Sequence, residues 1–75
     1  MQIQLKLMGM LKQKSPESGM LELASGAVIR DALLALEIDV DSVHVFTLND
    51  DLVRDKSHPL ADGDLLSIFP PVGGG

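Results

Sequence analysis

Hydrophobic and polar residues alternate at the start of the chain, where residues 2–7 read Gln-Ile-Gln-Leu-Lys-Leu. A period of two predicts a strand covered on one face, with Ile3, Leu5 and Leu7 pointing into a core. The alternation returns at residues 21–23, after a polar, proline-bearing segment that ends at Gly19. We therefore predict an antiparallel hairpin of two strands with a long exposed loop at its tip.

The hydrophobic spacing becomes helical after Ala27, with Ile29, Leu33 and Leu36 on one face. Ser25 is a candidate N-cap, because its hydroxyl can accept a hydrogen bond from an amide of the first turn. The pattern predicts one amphipathic helix of about three turns, ending near Glu37. Its apolar stripe could fill a partner's groove, but the strands on either side need a cover, which favours packing in the core.

Three further strands follow. We predict strands over residues 42–48 and 65–69, and a short return strand over residues 52–53 after the turn at 49–51. Leu60 is a predicted core residue, and Asp62-Gly63-Asp64 a tight turn. The predicted fold class is α+β, a mixed sheet of four to five strands with one main helix packed across one face. The other face of the sheet stays open.

The open face has a candidate partner-facing patch. We expect the strand over residues 42–48 to point Phe46 and Leu48 into the core, and the strand over residues 65–69 to point Leu66 and Ile68 there. The apolar side chains that then face outward are Val43, Val45, Leu65 and Phe69. An apolar patch on an exposed sheet is a candidate interaction surface. The alternative is scattered surface hydrophobes, which are normal and need no explanation.

The last six residues read Pro-Pro-Val-Gly-Gly-Gly. Proline rings restrict the backbone to extended geometry, so we predict a domain over residues 1–69 and a stiff tail over residues 70–75. Beyond Val72 the tail has no side chain, and such a segment can enter a partner's tunnel too narrow for a Cβ atom. The residues predicted to insert are Pro70, Pro71, Val72, Gly73, Gly74 and Gly75. A frayed end or a cloning scar is the alternative interpretation.

The charge balance is acidic, with eleven acids against six bases and a formal net charge of −5. An acidic surface repels nucleic acid phosphates and anionic lipid, and only Phe46 and Phe69 are available for base stacking. We therefore expect no nucleic acid and no membrane among the partners. A basic protein partner suits this charge, with an encounter rate that falls as salt rises. With no long apolar run and no signal sequence, we expect a soluble, cytoplasmic protein.

The sequence lacks the residue combinations that most catalytic sites require. The chain contains no cysteine, so thiolate metal sites and a nucleophilic thiol are excluded. His44 and His58 have no serine and acid at a recognisable spacing, and the Asp62-Gly63-Asp64 turn lacks the remaining ligands of a calcium loop. The terminal glycines lack the Lys-Ser/Thr of a phosphate-binding loop. We expect no catalytic residue, no metal and no stably bound cofactor.

Three segments in sequence carry a resemblance: Leu48-Asn49, then Leu60-Ala61-Asp62-Gly63-Asp64, then residues 69–75, Phe-Pro-Pro-Val-Gly-Gly-Gly. Behind a hairpin and a single helix, they resemble the ubiquitin-like β-grasp sulfur carriers, and within that family most closely the small subunits of molybdopterin synthase. The element order matches along the whole chain, and the specific part is the last sixteen residues. In the family, the residue before the final Gly-Gly is often a small hydroxyl residue or alanine, where this chain has Gly73.

The resemblance implies a mechanism centred on Gly75. A ubiquitin-activating-type adenylyltransferase would use ATP to adenylate its carboxylate, and a sulfur donor protein would then convert the acyl-adenylate to a thiocarboxylate. In the molybdopterin branch, the tail inserts into the large subunit of molybdopterin synthase, which transfers the sulfur to a pterin precursor. A chain without a thiol can carry sulfur covalently only through an acyl group, which agrees with this reading.

Two alternatives share the glycine end. One is a carrier for thiamin thiazole or another sulfur metabolite, although the tails of thiamin carriers more often lack the double proline. The other is a ubiquitin-like modifier, in which Gly75 would be joined to lysines of target proteins.

Overall fold

The computed structural model describes residues 1–70 of the chain. The described strands are β1 (Gln2–Leu7), β2 (Met20–Glu22), β3 (Val45–Leu48), β4 (Asp51–Val53) and β5 (Leu65–Phe69), with one α-helix, α1 (Ile29–Ala35). Two short 3₁₀ helices complete the described elements, the first at Gly9–Lys14 and the second at Val40–Ser42.

The five strands form one mixed sheet in the order β2-β1-β5-β3-β4. The pairs β1/β2, β3/β4 and β3/β5 are antiparallel, and β1/β5 is parallel. The first and last strands are therefore neighbours in the middle of the sheet. The predicted α+β class, with a mixed sheet and one main helix, is confirmed, as is the predicted β1/β2 hairpin.

The core lies between the sheet and α1. Ile29 and Leu33 of the helix are fully buried with Ile3, Phe46 and Ile68 of the sheet. Leu60, a predicted core residue, is also buried. Burying apolar side chains of this size stabilises the fold by about 1.5–3 kcal/mol each. The buried residues of β1, β3 and β5 thus line the face of the sheet that packs against α1. On the other face, Gln2, Gln4 and Lys6 of β1 are exposed.

The helix begins later than predicted, and Ser25 is not its N-cap. The N-cap is Val28, whose N–H donates to a carboxylate oxygen of Asp31 at 2.8 Å. The chain turns at Gly26, which has a φ of +90°, and residue 28 is then extended and bridged to Pro59. The predicted cap fails because this turn separates Ser25 from the first helical residue.

The helix ends with Glu37 in a left-handed conformation, at a φ of +59°. The N–H of Ile38 donates to the carbonyl of Leu33 at 2.9 Å, and that of Glu37 to the carbonyl of Leu34 at 3.1 Å. This pair of bonds is a Schellman motif, in which glycine is the usual left-handed residue. The helix is therefore shorter than the predicted three turns, although Leu36 and Ile38 beyond it remain buried.

The predicted exposed loop between β1 and β2 contains the first 3₁₀ helix. Its Leu11 is buried in the core, and the Lys14 ammonium donates to the carbonyl of Glu37 at 2.9 Å. Sequence reasoning missed this element because the apolar residues Met8, Met10 and Leu11 repeat with the period of neither a strand nor an α-helix. In residues 1–70, the only α-helix is α1, and it is too short to cross a bilayer.

Candidate functional site

The last described strand, β5, lies between β1 and β3. Leu7 is opposite Ile68 in the parallel pair, and Val45 is opposite Phe69 in the antiparallel pair. One further backbone bond, from the N–H of Met8 to the carbonyl of Ile68 at 3.1 Å, extends the ladder beyond β1. The chain therefore leaves the sheet from its middle at Phe69 and Pro70, and backbone pairing with β1 and β3 holds β5 up to its end.

Pro70 is half-buried and directly follows β5, where the predicted tail begins. A Cβ atom placed on Gly9 would lie 3.1 Å from Cγ of Pro70, so the proline ring is next to the start of the first 3₁₀ helix. The other residues predicted to insert into a partner lie outside the described residues: Pro71, Val72, Gly73, Gly74 and Gly75. Insertion of the tail and modification of Gly75 stay predictions.

Three of the four predicted patch residues lie on the open face of the sheet. Val45, Leu65 and Phe69 are each half-buried. Because side chains at alternate positions of β5 share a face, Leu65 and Phe69 point to the same side, and Val45 is paired with Phe69. We call these residues, with Leu52 and Ser67 described below, the open-face patch. Its contact with a partner stays a prediction.

The expectation that Val43 belongs to this patch is wrong, since Val43 is fully buried in the core. The predicted strand covered residues 42–48, but β3 begins only at Val45, after the second 3₁₀ helix at Val40–Ser42. Alternation holds only where the backbone is paired in the sheet. Extending it backward from Phe46 therefore gave Val43 the wrong side.

Leu52 of β4 is a patch residue that sequence reasoning missed. It lies opposite Thr47 in the β3/β4 pairing and is 61% exposed. A signal was present in the sequence. The turn at Asn49-Asp50 places Leu48 opposite Asp51. Because Leu48 points into the core, the next pair, Thr47 and Leu52, faces the open side of the sheet.

Ser67 lies at the centre of the open-face patch, between Leu65 and Phe69 along β5. It is opposite Thr47 of β3 and Lys6 of β1, and it is only 6% exposed despite facing away from the core. Larger neighbours therefore surround a small side chain with a hydroxyl group. This arrangement can receive an apolar partner surface and supply one polar contact at its middle.

The open face carries little of the chain's negative charge. Of the strand positions that the register places on this face, Glu22 is the only carboxylate in residues 1–70. The N-terminal ammonium group of Met1 lies 3.0 Å from a carboxylate oxygen of Glu22. Lys6 supplies a positive charge next to Ser67. The acids can therefore steer a basic partner from outside the patch, while the patch itself suits an apolar contact.

The Asp62-Gly63-Asp64 segment stabilises the opposite end of β5. The two carboxylate oxygens of Asp64 accept from the side-chain amide of Asn49 at 2.8 Å and from the N–H of Ala61 at 2.8 Å. Asp62 accepts from the N–H of Gln2 at 2.7 Å, and the amide oxygen of Asn49 accepts from the N–H of Leu65 at 2.9 Å. These acids act as turn and cap residues. Residues 1–70 contain no cluster of three acidic or histidine side chains that could hold a metal ion.

Solved structures with the same fold cover nearly the whole chain. SAMP1 from Haloferax volcanii has a TM-score of 0.72 at 24% identity, with 100% of each chain covered, and at that identity it shows the fold alone. Molybdopterin converting factor subunit 1 from Pyrococcus furiosus has a TM-score of 0.69 at 25% identity, covering 95% of this chain and 98% of that chain.

A third match is a chain in the complex of subunits 1 and 2 of the molybdopterin-converting factor from Helicobacter pylori. Its TM-score is 0.62 at 25% identity, with 100% of each chain covered. No curated protein matches this sequence significantly. The model of the ThiS family matches residues 5–75. With that match over most of its length and with the β-grasp fold of these neighbours, the chain belongs to the ThiS family of ubiquitin-like sulfur carriers.

Proposed function

We propose that this protein is the sulfur carrier for the dithiolene of molybdopterin and the small, non-catalytic subunit of a molybdopterin synthase. The observation that carries the proposal is the position of β5. The strand leads from the centre of the sheet to Pro70, beside the open-face patch. A partner that covers the patch would therefore also receive the residues that follow Pro70.

Two of the structural neighbours support the molybdopterin assignment. Each is at 25% identity, one as subunit 1 of a molybdopterin converting factor and the other as a chain in a complex of subunits 1 and 2. By analogy, the partner of this chain is the large subunit of the synthase. The double proline at residues 70–71 and Val72 support the same branch through the resemblance described above.

The proposed chemistry takes place at the carboxylate of Gly75 in the active sites of other proteins. A carboxylate oxygen attacks the α-phosphorus of ATP, and the bond from that phosphorus to the bridging oxygen of pyrophosphate breaks. A sulfur nucleophile at the oxidation level of hydrosulfide then attacks the acyl carbon, and AMP leaves with the oxygen. A carboxylate alone is a poor electrophile, and the adenylate provides the leaving group that makes the second step possible.

The direct test is the intact mass of the purified chain after incubation with the activating enzyme, ATP and a sulfide source. A carrier gains the mass difference between one sulfur and one oxygen, and a chain truncated after Val72 does not. A ladder of conjugates in lysate, without that mass gain, would instead indicate a protein modifier and contradict the proposal.

A genetic test separates molybdopterin from other sulfur metabolites. Expression in a strain that lacks its small molybdopterin synthase subunit is expected to restore the activity of a molybdenum enzyme. Restoration of thiamin-free growth in a strain without its thiazole sulfur carrier, and not of the molybdenum enzyme, would assign the chain to the thiamin branch.

A further inference from the structure

Gly9 differs from the other described glycines in what surrounds it. A Cβ atom at Gly9 would lie 3.1 Å from Cγ and 3.9 Å from Cδ of Pro70. Such a contact is closer than packed carbon atoms normally approach, which is about 3.5–4.0 Å. Gly19, Gly26 and Gly63 also have positive φ, but a Cβ atom on any of them would meet nothing within 4 Å. At Gly9, the missing side chain makes room for the proline ring.

The backbone around Gly9 is held from several directions. On one side, the N–H of Met8 donates to the carbonyl of Ile68 at 3.1 Å. On the other, Leu11 is buried in the core, and the Lys14 ammonium binds the carbonyl of Glu37 at 2.9 Å. A side chain at residue 9 could not be accommodated by moving this segment without breaking those contacts. The ring of Pro70, which follows the last paired residue of β5, would have to shift by a few tenths of an ångström instead.

A displacement of Pro70 changes the direction in which the chain leaves the sheet. Pro70 is followed by a second proline, and the rings restrict the rotations that could absorb the change. Gly75 is five residues beyond Pro70 in the sequence, so the direction in which the chain leaves the sheet bears on where the Gly75 carboxylate can reach. Misplacement of a reacting group by about 1 Å can cost as much as a hundredfold in rate.

We propose that Gly9 is a positioning residue for the reactions at Gly75. Because Gly9 has no side chain, it leaves room for the ring of Pro70, and it thereby sets the angle at which the residues after Pro70 enter a partner's active site. This inference rests on the proposed function, because it assigns Gly9 a role in presenting Gly75 to the activating enzyme.

The test compares Gly9→Ala with Gly19→Ala. Gly9 and Gly19 have φ values of +55° and +70°, so alanine is strained at both, but only at residue 9 does it contact Pro70. With the carrier as the varied substrate, pyrophosphate release by the activating enzyme gives KM and kcat. We expect Gly9→Ala to raise KM about tenfold relative to Gly19→Ala. Equal KM values for the two variants would overturn the proposal.

A double-mutant comparison separates the contact with Pro70 from other effects. Pro70→Ala removes Cγ and Cδ from the proline ring. In that background, we expect Gly9→Ala to change KM by less than about twofold, because coupled residues lose their interaction when one partner is removed. The same increase in both backgrounds would contradict the positioning role. If Gly9→Ala does not fold, Gly9→Asn supplies the side chain with less strain, since asparagine tolerates this region of φ.

A structural measurement decides the inference independently of sulfur chemistry. Amide residual dipolar couplings at Val72 and Gly73 report the orientation of these bonds relative to the domain. We expect them to change in Gly9→Ala and to match the wild type in Gly19→Ala. Unchanged couplings in Gly9→Ala would overturn the positioning role even if the carrier is adenylated. If the wild-type chain is not adenylated, the proposed function fails, and the couplings still decide whether Gly9 directs the chain.

Discussion

Val45 lies directly opposite Phe69 where β3 and β5 pair, at the point where the chain leaves the sheet. Both side chains are half-buried on the open face, next to the half-buried Pro70. Val43, two residues before Val45, is fully buried in the core between the sheet and α1. Two valines close in sequence therefore have different environments: Val45 belongs to the open-face patch and Val43 to the core.

This difference can be tested with one substitution at each position. Val43→Ala is expected to lower the free energy of unfolding by about 2 kcal/mol, because it removes buried methyl groups and leaves a cavity. Val45→Ala is expected to cost less than about 1 kcal/mol of stability and to weaken binding to the large subunit. Urea denaturation and a binding titration measure the two effects. A larger stability loss at Val45 than at Val43 would contradict the assignment of the two faces.

Leu52 and Leu34 provide a matched pair for the open-face patch. They are exposed to similar extents, 61% and 59%, but Leu52 is on the open face and Leu34 on the helix. We expect Leu52→Ala to weaken binding of the large subunit about fivefold, which corresponds to about 1 kcal/mol. Leu34→Ala is expected to leave the affinity unchanged. Equal losses in isothermal titration calorimetry would show that the partner does not distinguish the two faces.

Asn49 contributes to stability through its side chain as well as its backbone. Its amide group bonds both Asp64 and the N–H of Leu65, and its φ is +52°. Asn49→Gly keeps this backbone conformation accessible but removes both bonds, so we expect unfolding to become easier by about 1–2 kcal/mol.

Asp50 is the control in the same turn, with a φ of +72° and a side chain that takes no part in this network. Asp50→Gly is expected to leave the stability unchanged or to raise it slightly. The midpoints of chemical denaturation compare the variants, and a loss at Asp50 equal to that at Asn49 would refute a role for the side-chain bonds.

Glu37 is a site at which the fold can be stabilised. Its left-handed backbone conformation brings the Cβ atom close to the following carbonyl oxygen, which costs free energy. Glycine has no Cβ atom and adopts this conformation without that steric cost. Glu37→Gly is therefore expected to raise the free energy of unfolding by about 0.5–1 kcal/mol, after allowance for the greater entropy of the unfolded chain. Thermal denaturation of wild type and variant measures the change. A lower stability of the variant would mean that the Glu37 side chain makes a favourable contribution that outweighs its backbone strain.

Gly74→Val tests the requirement for a segment without side chains. We expect the variant to fold with the same unfolding midpoint as the wild type, since the substitution lies beyond the core residues of the described domain. We also expect it to lose adenylation, because a branched side chain would obstruct entry into a narrow site. Normal ATP consumption by the activating enzyme with this variant would disprove the narrow-tunnel argument.

Much of the fold was predictable from local patterns. The period of two located β1 with the bounds that the structure shows, and the predicted bounds of β5 are also confirmed. The turns at residues 49–51 and 62–64 were identified from their composition, although Asp51 belongs to β4. Predictions failed where the backbone departs from regular geometry. Val43 follows a 3₁₀ turn, Ser25 precedes a turn at Gly26, and Leu11 belongs to a 3₁₀ helix that has no hydrophobic period.

By itself, the sequence determined the α+β class, the inward faces of the strands and the glycine-ended tail, because each depends on residues that are close along the chain. Only the tertiary structure decided that β5 lies between β1 and β3, that Leu52 and Ser67 join the open face, and that Gly9 leaves room for the ring of Pro70. These relationships depend on which strands pair and in what register. That choice is made by burial and backbone hydrogen bonding among residues distant in sequence, and a local period carries no record of it.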